Sequence, residues 1–425
     1  MIHTFKYCVE KNKEIGTVDQ IKGPLVFVKG LEGSKIGEGI SFDSGDHGLV
    51  MAIKNEFTEV LVFSRNSLKA GSFVGRTGKQ LSISAGEGLL GHIVNALGYT
   101  LDDRREDSIV SKSISVEKKP VGISERKSVT RFLETGVSVV DTLVPLGLGQ
   151  RELVIGDRKS GKTSFLLQTL LSQAKHERVC IYTLIGKRKS EVKEIYSFLK
   201  ENEALKNSIM VVASAEDSPG ENFLAPYTAM SLAEYFKDQG VDTLVILDDL
   251  TAHAKYLREI SLVGGRFPGR ESYPGDIFYI HSKLLERAGN FKEASITCIP
   301  VAEAPSGDIT GYIQTNLMSM TDGHIYFDSD MFYKGLRPAI NVFLSVTRVG
   351  KQTQDPELRE IAGKALALLK QSEEMSRFLR FGSEVSPSIL VLLQKAERIT
   401  EFFNQLPNES RTIKETKEKL KEILG

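Results

Sequence analysis

Gly156-Asp157-Arg158-Lys159-Ser160-Gly161-Lys162-Thr163 is the stretch that most constrains this chain, because it fills the pattern G-x-x-x-x-G-K-[ST] in the setting that pattern requires. Arg151-Glu152-Leu153-Val154-Ile155 before it reads as a short buried strand. Thr163 to Lys175 after it reads as a helix, with Phe165, Leu166, Leu167, Leu170 and Leu171 apolar. Two glycines let the backbone curl so that successive N–H groups converge on phosphate oxygens at a helix N-terminus. Lys162 is placed to reach the outer phosphates, and the hydroxyl of Thr163, next to Ser164, to ligate Mg²⁺. A glycine-rich turn without a ligand is the alternative. Motif and context agree, so the loop is expected to bind a nucleoside triphosphate.

A chain of 425 residues is too long for one core and predicts two or three domains. Residues 1–80 read as an all-β domain. Short apolar runs at Gly23–Gly30, Gly48–Ile53 and Glu59–Ser64, separated by glycine-rich turns, predict a small closed barrel. Residues 81–354 alternate buried strands with amphipathic helices, the pattern of a mainly parallel α/β sheet. Its strands are expected at 179–184, 209–213, 243–247, 295–301 and 340–346, and its helices at 190–200, 227–238 and 278–288. Residues 355–425 are expected to be helical. A 3.6-residue apolar stripe starts after Pro356, a second helix starts at Ser386-Pro387-Ser388, and Lys414–Leu424 reads as a charged, solvated helix.

Lys plus Arg and Asp plus Glu balance at 55 each, so net charge gives no bias toward nucleic acid or anionic lipid. No run approaches the roughly 18 apolar residues of a membrane span, and Met1–Lys6 lacks the apolar core of a signal peptide. Any membrane connection is expected to run through partner proteins. Cys8, Cys180 and Cys298 have no metal-ligand spacing and read as reduced residues of a cytoplasmic protein.

The acid that holds Mg²⁺ through its water shell belongs at the end of a buried strand. Leu244-Val245-Ile246-Leu247-Asp248-Asp249 supplies it, with Asp248 the better candidate and a turn-capping role the alternative. A hydrolase also needs a carboxylate or amide to orient water, expected just after Gly186 in the strand next to the P-loop. That position is Lys187, whose ammonium cannot accept a proton at neutral pH. The site therefore reads as built to hold nucleotide and poorly equipped to cleave it. Arg348 follows the apolar run Asn341–Thr347, read as a buried strand. It is either a surface arginine or a finger toward a neighbour's phosphates.

Together these residues resemble the alpha subunit of the F-type ATP synthase over most of the chain. The resemblance is carried by Gly86–Gly91, Gly149–Leu153, the P-loop, Pro268–Asp276, Phe332–Asn341 and Leu344–Gly350. It implies a β-barrel, a P-loop nucleotide-binding domain and a helical domain. It also implies a proton-translocating complex for ATP synthesis, with an alternating hexameric ring of alpha-type and catalytic beta-type subunits around a central stalk. A peripheral stalk and attachment to the inner face of the cell membrane through partners belong to the same picture. By motif match Arg348 is an arginine finger in trans, with Ser345 in the same activity-linked segment. Phe332, Arg337 and Pro338 match residues lining the base of ATP or ADP, and Gln405 matches one of two glutamines near the adenine, the second position being Pro407. The loop Gly264–Asp276 matches one facing the central stalk.

Departures from the family are Lys159-Ser160 in the P-loop, Lys187 where alpha subunits carry glutamine, and ends shorter than usual. They leave two alternatives: a self-sufficient homohexameric ATPase motor, which Lys187 disfavours, and an alpha-like subunit of a hydrolytic motor not coupled to a proton channel.

Overall fold

The valine-rich N-terminal runs close on themselves. In the computed structural model, which describes residues 4–64, 68–102, 112–379, 387–407 and 409–425, six antiparallel strands form a closed barrel. Their order is Gly16–Lys22, Leu25–Lys29, Thr58–Val62, His47–Ile53, Glu38–Phe42 and Phe73–Gln80. Val18, Val28, Ile40, Phe42, Val60 and Val74 fill the inside. β-Branched side chains suit this half-buried pleated surface, and closure leaves no edge strand to pair with another chain. A helix at Phe5–Asn12, not foreseen from sequence, packs on the last barrel strand and buries Cys8.

The central sheet has ten strands, and its main path runs Val346–Thr347, Gly323–Phe327, Glu152–Gly156, Ser295–Glu303, Thr243–Asp248, Val179–Lys187, Ser208–Ser214 and Ile93–Asn95. Its long members are parallel. Side chains alternate across it: Leu153 and Ile155 enter one apolar core, Val154 the other. Helices Pro219–Asp238 and Leu250–Val263 cover the first face, and Lys162–Lys175 covers the second. Cys8, Cys180 and Cys298 are all buried free thiols. Among the described residues, no helix is long and apolar enough to cross a membrane.

Three expectations change. Residues 340–346 are not a buried strand. Asn341 Oδ1 accepts from the backbone N–H groups of Phe343 (3.1 Å) and Leu344 (3.2 Å), folding the segment into a turn. Val346–Thr347 pairs with the sheet, antiparallel at its edge, and Ile340 makes a single antiparallel bridge to Phe327. The strand carrying Lys187 is not next to the P-loop strand, because Ser295–Glu303 and Thr243–Asp248 lie between them. The last helix, Ile413–Leu424, is not merely solvated. Leu420 and Ile423 are buried in the second core with Ile361, Ile399 and Phe403, while Lys417 pairs with Asp355 (2.6 Å) and Glu357 (3.1 Å). The helix before it begins at Pro387 in the described chain; Ser386 lies outside the described residues.

Polar groups inside the first core are closely paired. Arg287 donates to both oxygens of Glu234 (2.7 and 2.9 Å), to Val116 O (3.0 Å) and to Ser231 Oγ (2.7 Å). His253 Nε2 lies 3.0 Å from Phe223 O, and its Nδ1 lies 3.0 Å from His281 Nε2. A carbonyl can only accept, so His253 carries its proton on Nε2 and His281 donates to Nδ1. Both rings are neutral in this arrangement. Burial pushes His253 down to about 4 and His281 well below the usual histidine range. In the unfolded chain both bind protons near pH 6.5. Their stabilisation is therefore complete above about pH 6.5 and is lost as pH falls toward 4, by about 3 kcal/mol for His253 alone. Urea unfolding across that range should show the decline. A His281→Gln variant, which keeps the donor and removes one titrating ring, should show a shallower slope.

Candidate nucleotide site

Strand Glu152–Gly156 is wholly buried and delivers the P-loop at the carboxyl edge of the sheet. Lys159 (φ 60°) and Gly161 (φ 98°) are both left-handed, which turns the chain back on itself before helix Lys162–Lys175 begins. Ser160 Oγ donates to Asp157 O (2.7 Å). Lys162 Nζ donates to Gly156 O (2.9 Å) and Asp157 O (2.5 Å), so its ammonium sits inside the loop that it would share with phosphate. Burial pushes the Lys162 ammonium below the usual lysine range. Asp157 carboxylate oxygens accept from the N–H groups of Arg158 (2.7 Å) and Ser306 (3.0 Å), and Arg158 forms a two-pronged pair with Glu303 (2.9 and 3.0 Å). Thr163 is exposed and Ser164 half-buried in the first helical turn.

Two strands from the P-loop strand, Thr243–Asp248 ends in two acids with different roles. Asp249 caps helix Leu250–Val263 by accepting from Ala252 N (2.6 Å). Asp248 Oδ2 accepts from the Tyr182 hydroxyl (3.1 Å). Lys187 spans both, with its Nζ 2.7 Å from Asp248 Oδ1 and 3.3 Å from Asp249 Oδ2. Burial pushes the Lys187 ammonium down, but Asp248 and Asp249 outweigh it and hold the group above the usual lysine range. The ammonium is therefore permanently charged. Asp248 was expected to serve a metal. Its two oxygens face Lys187 and Tyr182, so a divalent cation would have to compete with that ammonium. The exposed Thr163 hydroxyl is the part of the expected metal pair left open.

Of the residues expected around the base, Phe332 lies at the loop and Arg337 packs on it. A methyl group built on Gly161 would stand 3.9 Å from the Phe332 ring. The Arg337 guanidinium lies over that ring at 3.5 Å and donates to Phe332 O (2.7 Å), with Pro338 following. Gln405 is different. It is 3% exposed, and its amide is committed to protein: Oε1 accepts from Ser138 N (3.0 Å), and Nε2 donates to Gly136 O (2.7 Å) and Glu409 O (2.5 Å).

Arg348 stands apart from this cluster. It is exposed just beyond the edge strand, held through its N–H to Asp322 O (2.9 Å). Ser345 ties the turn to the sheet: its hydroxyl donates to Asn341 O (2.7 Å) and accepts from Tyr326 N (2.9 Å). Sequence reasoning missed Tyr182, Asp249 and Glu303. The doubled acid at the strand end was a visible signal for Asp249. Tyr182 and Glu303 gave none, because they reach the site from strands distant in sequence.

Residues 136–347 match the model of the ATP synthase alpha/beta family, nucleotide-binding domain. Over 409 residues the chain is 42% identical to the ATP synthase subunit alpha of Anaplasma marginale (strain Florida), covering 93% of this chain and 80% of that one. The corresponding protein of Ehrlichia ruminantium (strain Gardel) is 41% identical, with 93% and 80% covered. That of Wolbachia sp. subsp. Drosophila simulans (strain wRi) is 40% identical, with 95% and 81% covered.

The placement of Gln405 carries a prediction. Gln405→Ala leaves Ser138 N without its acceptor inside a buried region and should destabilise the protein by about 1–3 kcal/mol. Hydrogen exchange should locate the loosening in helix Ile413–Leu424 and the segment around Gly136. A variant of unchanged stability but weakened nucleotide binding would make Gln405 a base contact instead.

Proposed function

The chain belongs to the family of F-type ATP synthase alpha subunits, and on that premise we propose that it is a nucleotide-holding, non-catalytic subunit that completes the catalytic site of a neighbour. The observation that carries this reading is Lys187. Where a hydrolase needs a group to accept or orient a water proton, this chain has an ammonium fixed 2.7 Å from Asp248. A site with positive charge and no general base can bind polyphosphate without activating water. The P-loop supplies the binding groups. Its N–H groups at the start of helix Lys162–Lys175 face the phosphates, and Lys162 exchanges its carbonyl contacts for phosphate oxygens. Phe332, Arg337 and Pro338 flank the base of ATP or ADP, and Gln405 braces the loop behind them.

Arg348 is proposed as the finger reaching a beta-type subunit. Its surroundings support an interface: Phe343, Leu344 and Val346, 44%, 48% and 41% exposed, form an apolar rim beside it. A guanidinium held by its backbone to Asp322 can lie against phosphoryl oxygens as their charge rises in the transition state. Ser345 positions this segment through Tyr326 and Asn341. The loop Gly264–Asp276, with Phe267 96% exposed, is proposed to face the central stalk. In this reading the chain sits in an alternating ring attached to the inner face of the membrane by partner subunits, within a proton-translocating machine.

Calorimetry and ATPase assays on the purified chain should show nucleotide binding with negligible turnover. Lys162→Ala removes charge-assisted contacts worth about 1.5–3 kcal/mol and should weaken binding by about tenfold or more. Arg348→Ala should leave that binding within about twofold while multi-site hydrolysis by the reconstituted ring falls by on the order of a hundredfold or more. Turnover by the chain alone would reverse the assignment of roles. Ring activity surviving Arg348→Ala within a few-fold would make Arg348 a surface residue.

A further inference from the structure

The absence of a base explains why this site need not cleave nucleotide, but it does not explain why a lysine stands there. An uncharged side chain would serve equally well to prevent catalysis. Lys187 does more than remove a carboxylate: it brings a fixed positive charge to the carboxyl edge of the sheet, beside the acids expected to attract a metal. We propose that Lys187 is a resident cation in the place of magnesium, so that the site takes the metal-free nucleoside di- or triphosphate at least as readily as the magnesium complex. This rests on the nucleotide reading of the P-loop.

Each of the four oxygens of the two acids has a partner within the protein. Lys187 Nζ contacts Asp248 Oδ1 (2.7 Å) and Asp249 Oδ2 (3.3 Å), Tyr182 donates to Asp248 Oδ2 (3.1 Å), and Ala252 N donates to Asp249 Oδ1 (2.6 Å). Asp248 and Asp249 are 3% and 4% exposed. The charges of the cluster also balance without a metal. Two half-buried ammonium groups, Lys162 and Lys187, stand against two buried carboxylates, and Glu303 is already paired with Arg158. A dication entering here would meet two ammonium groups and find no unshared carboxylate. A metal-free triphosphate would meet the same two ammonium groups with its full negative charge.

The backbone that carries Lys187 is held on both sides. Gly186 before it has φ 66°, and its N–H donates to Asn222 Oδ1 (2.7 Å). Lys187 O accepts from Ala215 N (2.9 Å), pinning the residue to the neighbouring strand. Both backbone sides of the lysine are thus fixed, and its ammonium rests between Asp248 and Asp249.

The test is a calorimetric titration of the full chain with ATP in excess EDTA and with ATP in excess Mg²⁺. The wild-type chain is expected to bind metal-free ATP as tightly as the magnesium complex, or more tightly. Lys187→Gln keeps a polar side chain one atom shorter, removes the charge and frees Asp248. It should weaken metal-free binding by about tenfold or more and make the magnesium complex the tighter ligand. Electron paramagnetic resonance with Mn²⁺ and ATP provides a readout independent of affinity. A larger fraction of immobilised Mn²⁺ is expected in Lys187→Gln than in the wild type. Wild-type preference for the magnesium complex by about tenfold, or as much immobilised Mn²⁺ on the wild-type chain as on Lys187→Gln, overturns the inference while leaving the nucleotide reading intact. The wild-type titration decides the matter even if the variant does not fold. Absence of ATP binding in both conditions overturns the nucleotide reading and this inference together.

Discussion

Everything at the candidate site hangs on the burial of one short strand. Glu152–Gly156 lies between two parallel neighbours, with apolar side chains directed into cores on both faces of the sheet. Parallel pairing requires a crossover for every strand, and the crossovers cover both faces with helices. The same geometry places all the strand ends that carry Asp248, Lys187 and Glu303 along one edge, where the P-loop emerges. A strand slipped by one residue would exchange Leu153 and Ile155 for Val154 between the two cores, so the register is set by hydrophobic burial on both sides. The positions of the charged groups follow from that register.

Electrostatics then decides what this edge can do. Buried carboxylates need partners, and Asp248 and Asp249 obtain theirs from Lys187, Tyr182 and a helix N-terminus. The result is a hydrogen-bonded cluster whose charges balance once the neighbouring Lys162 ammonium is counted. It lacks the proton acceptor that hydrolysis needs. On the proposed reading, such a site holds polyphosphate and leaves the chemistry to a neighbouring subunit.

The segment around Arg348 shows how a polar residue can overrule an apolar pattern. Asn341-Val342-Phe343-Leu344-Ser345-Val346 reads as a buried β run because strand propensity and hydrophobicity both favour it. Asn341 instead gathers the following N–H groups with its side chain, and Ser345 fastens the turn to Tyr326. Phe343, Leu344 and Val346 are turned outward, where an isolated chain gains nothing from them. The charged last helix misleads in the opposite sense. Its lysines and glutamates dominate the composition, while Leu420 and Ile423, three residues apart on one face, supply the packing.

Local sequence determined the P-loop, the strand–helix alternation, the β-barrel and the replacement of a water-orienting group by Lys187. Each depends on residue type, glycine placement or short-range periodicity, which act within one element. Tertiary structure alone decided that the Lys187 strand lies beside the one ending in Asp248 and not beside the P-loop strand. It also decided that Gln405 holds Gly136 and Ser138, and that Glu303 and Tyr182 belong to the site. The reason is physical: crossover helices free the spatial order of parallel strands from their order in the chain. A contact between side chains tens of residues apart is fixed only when the whole sheet has buried its two faces.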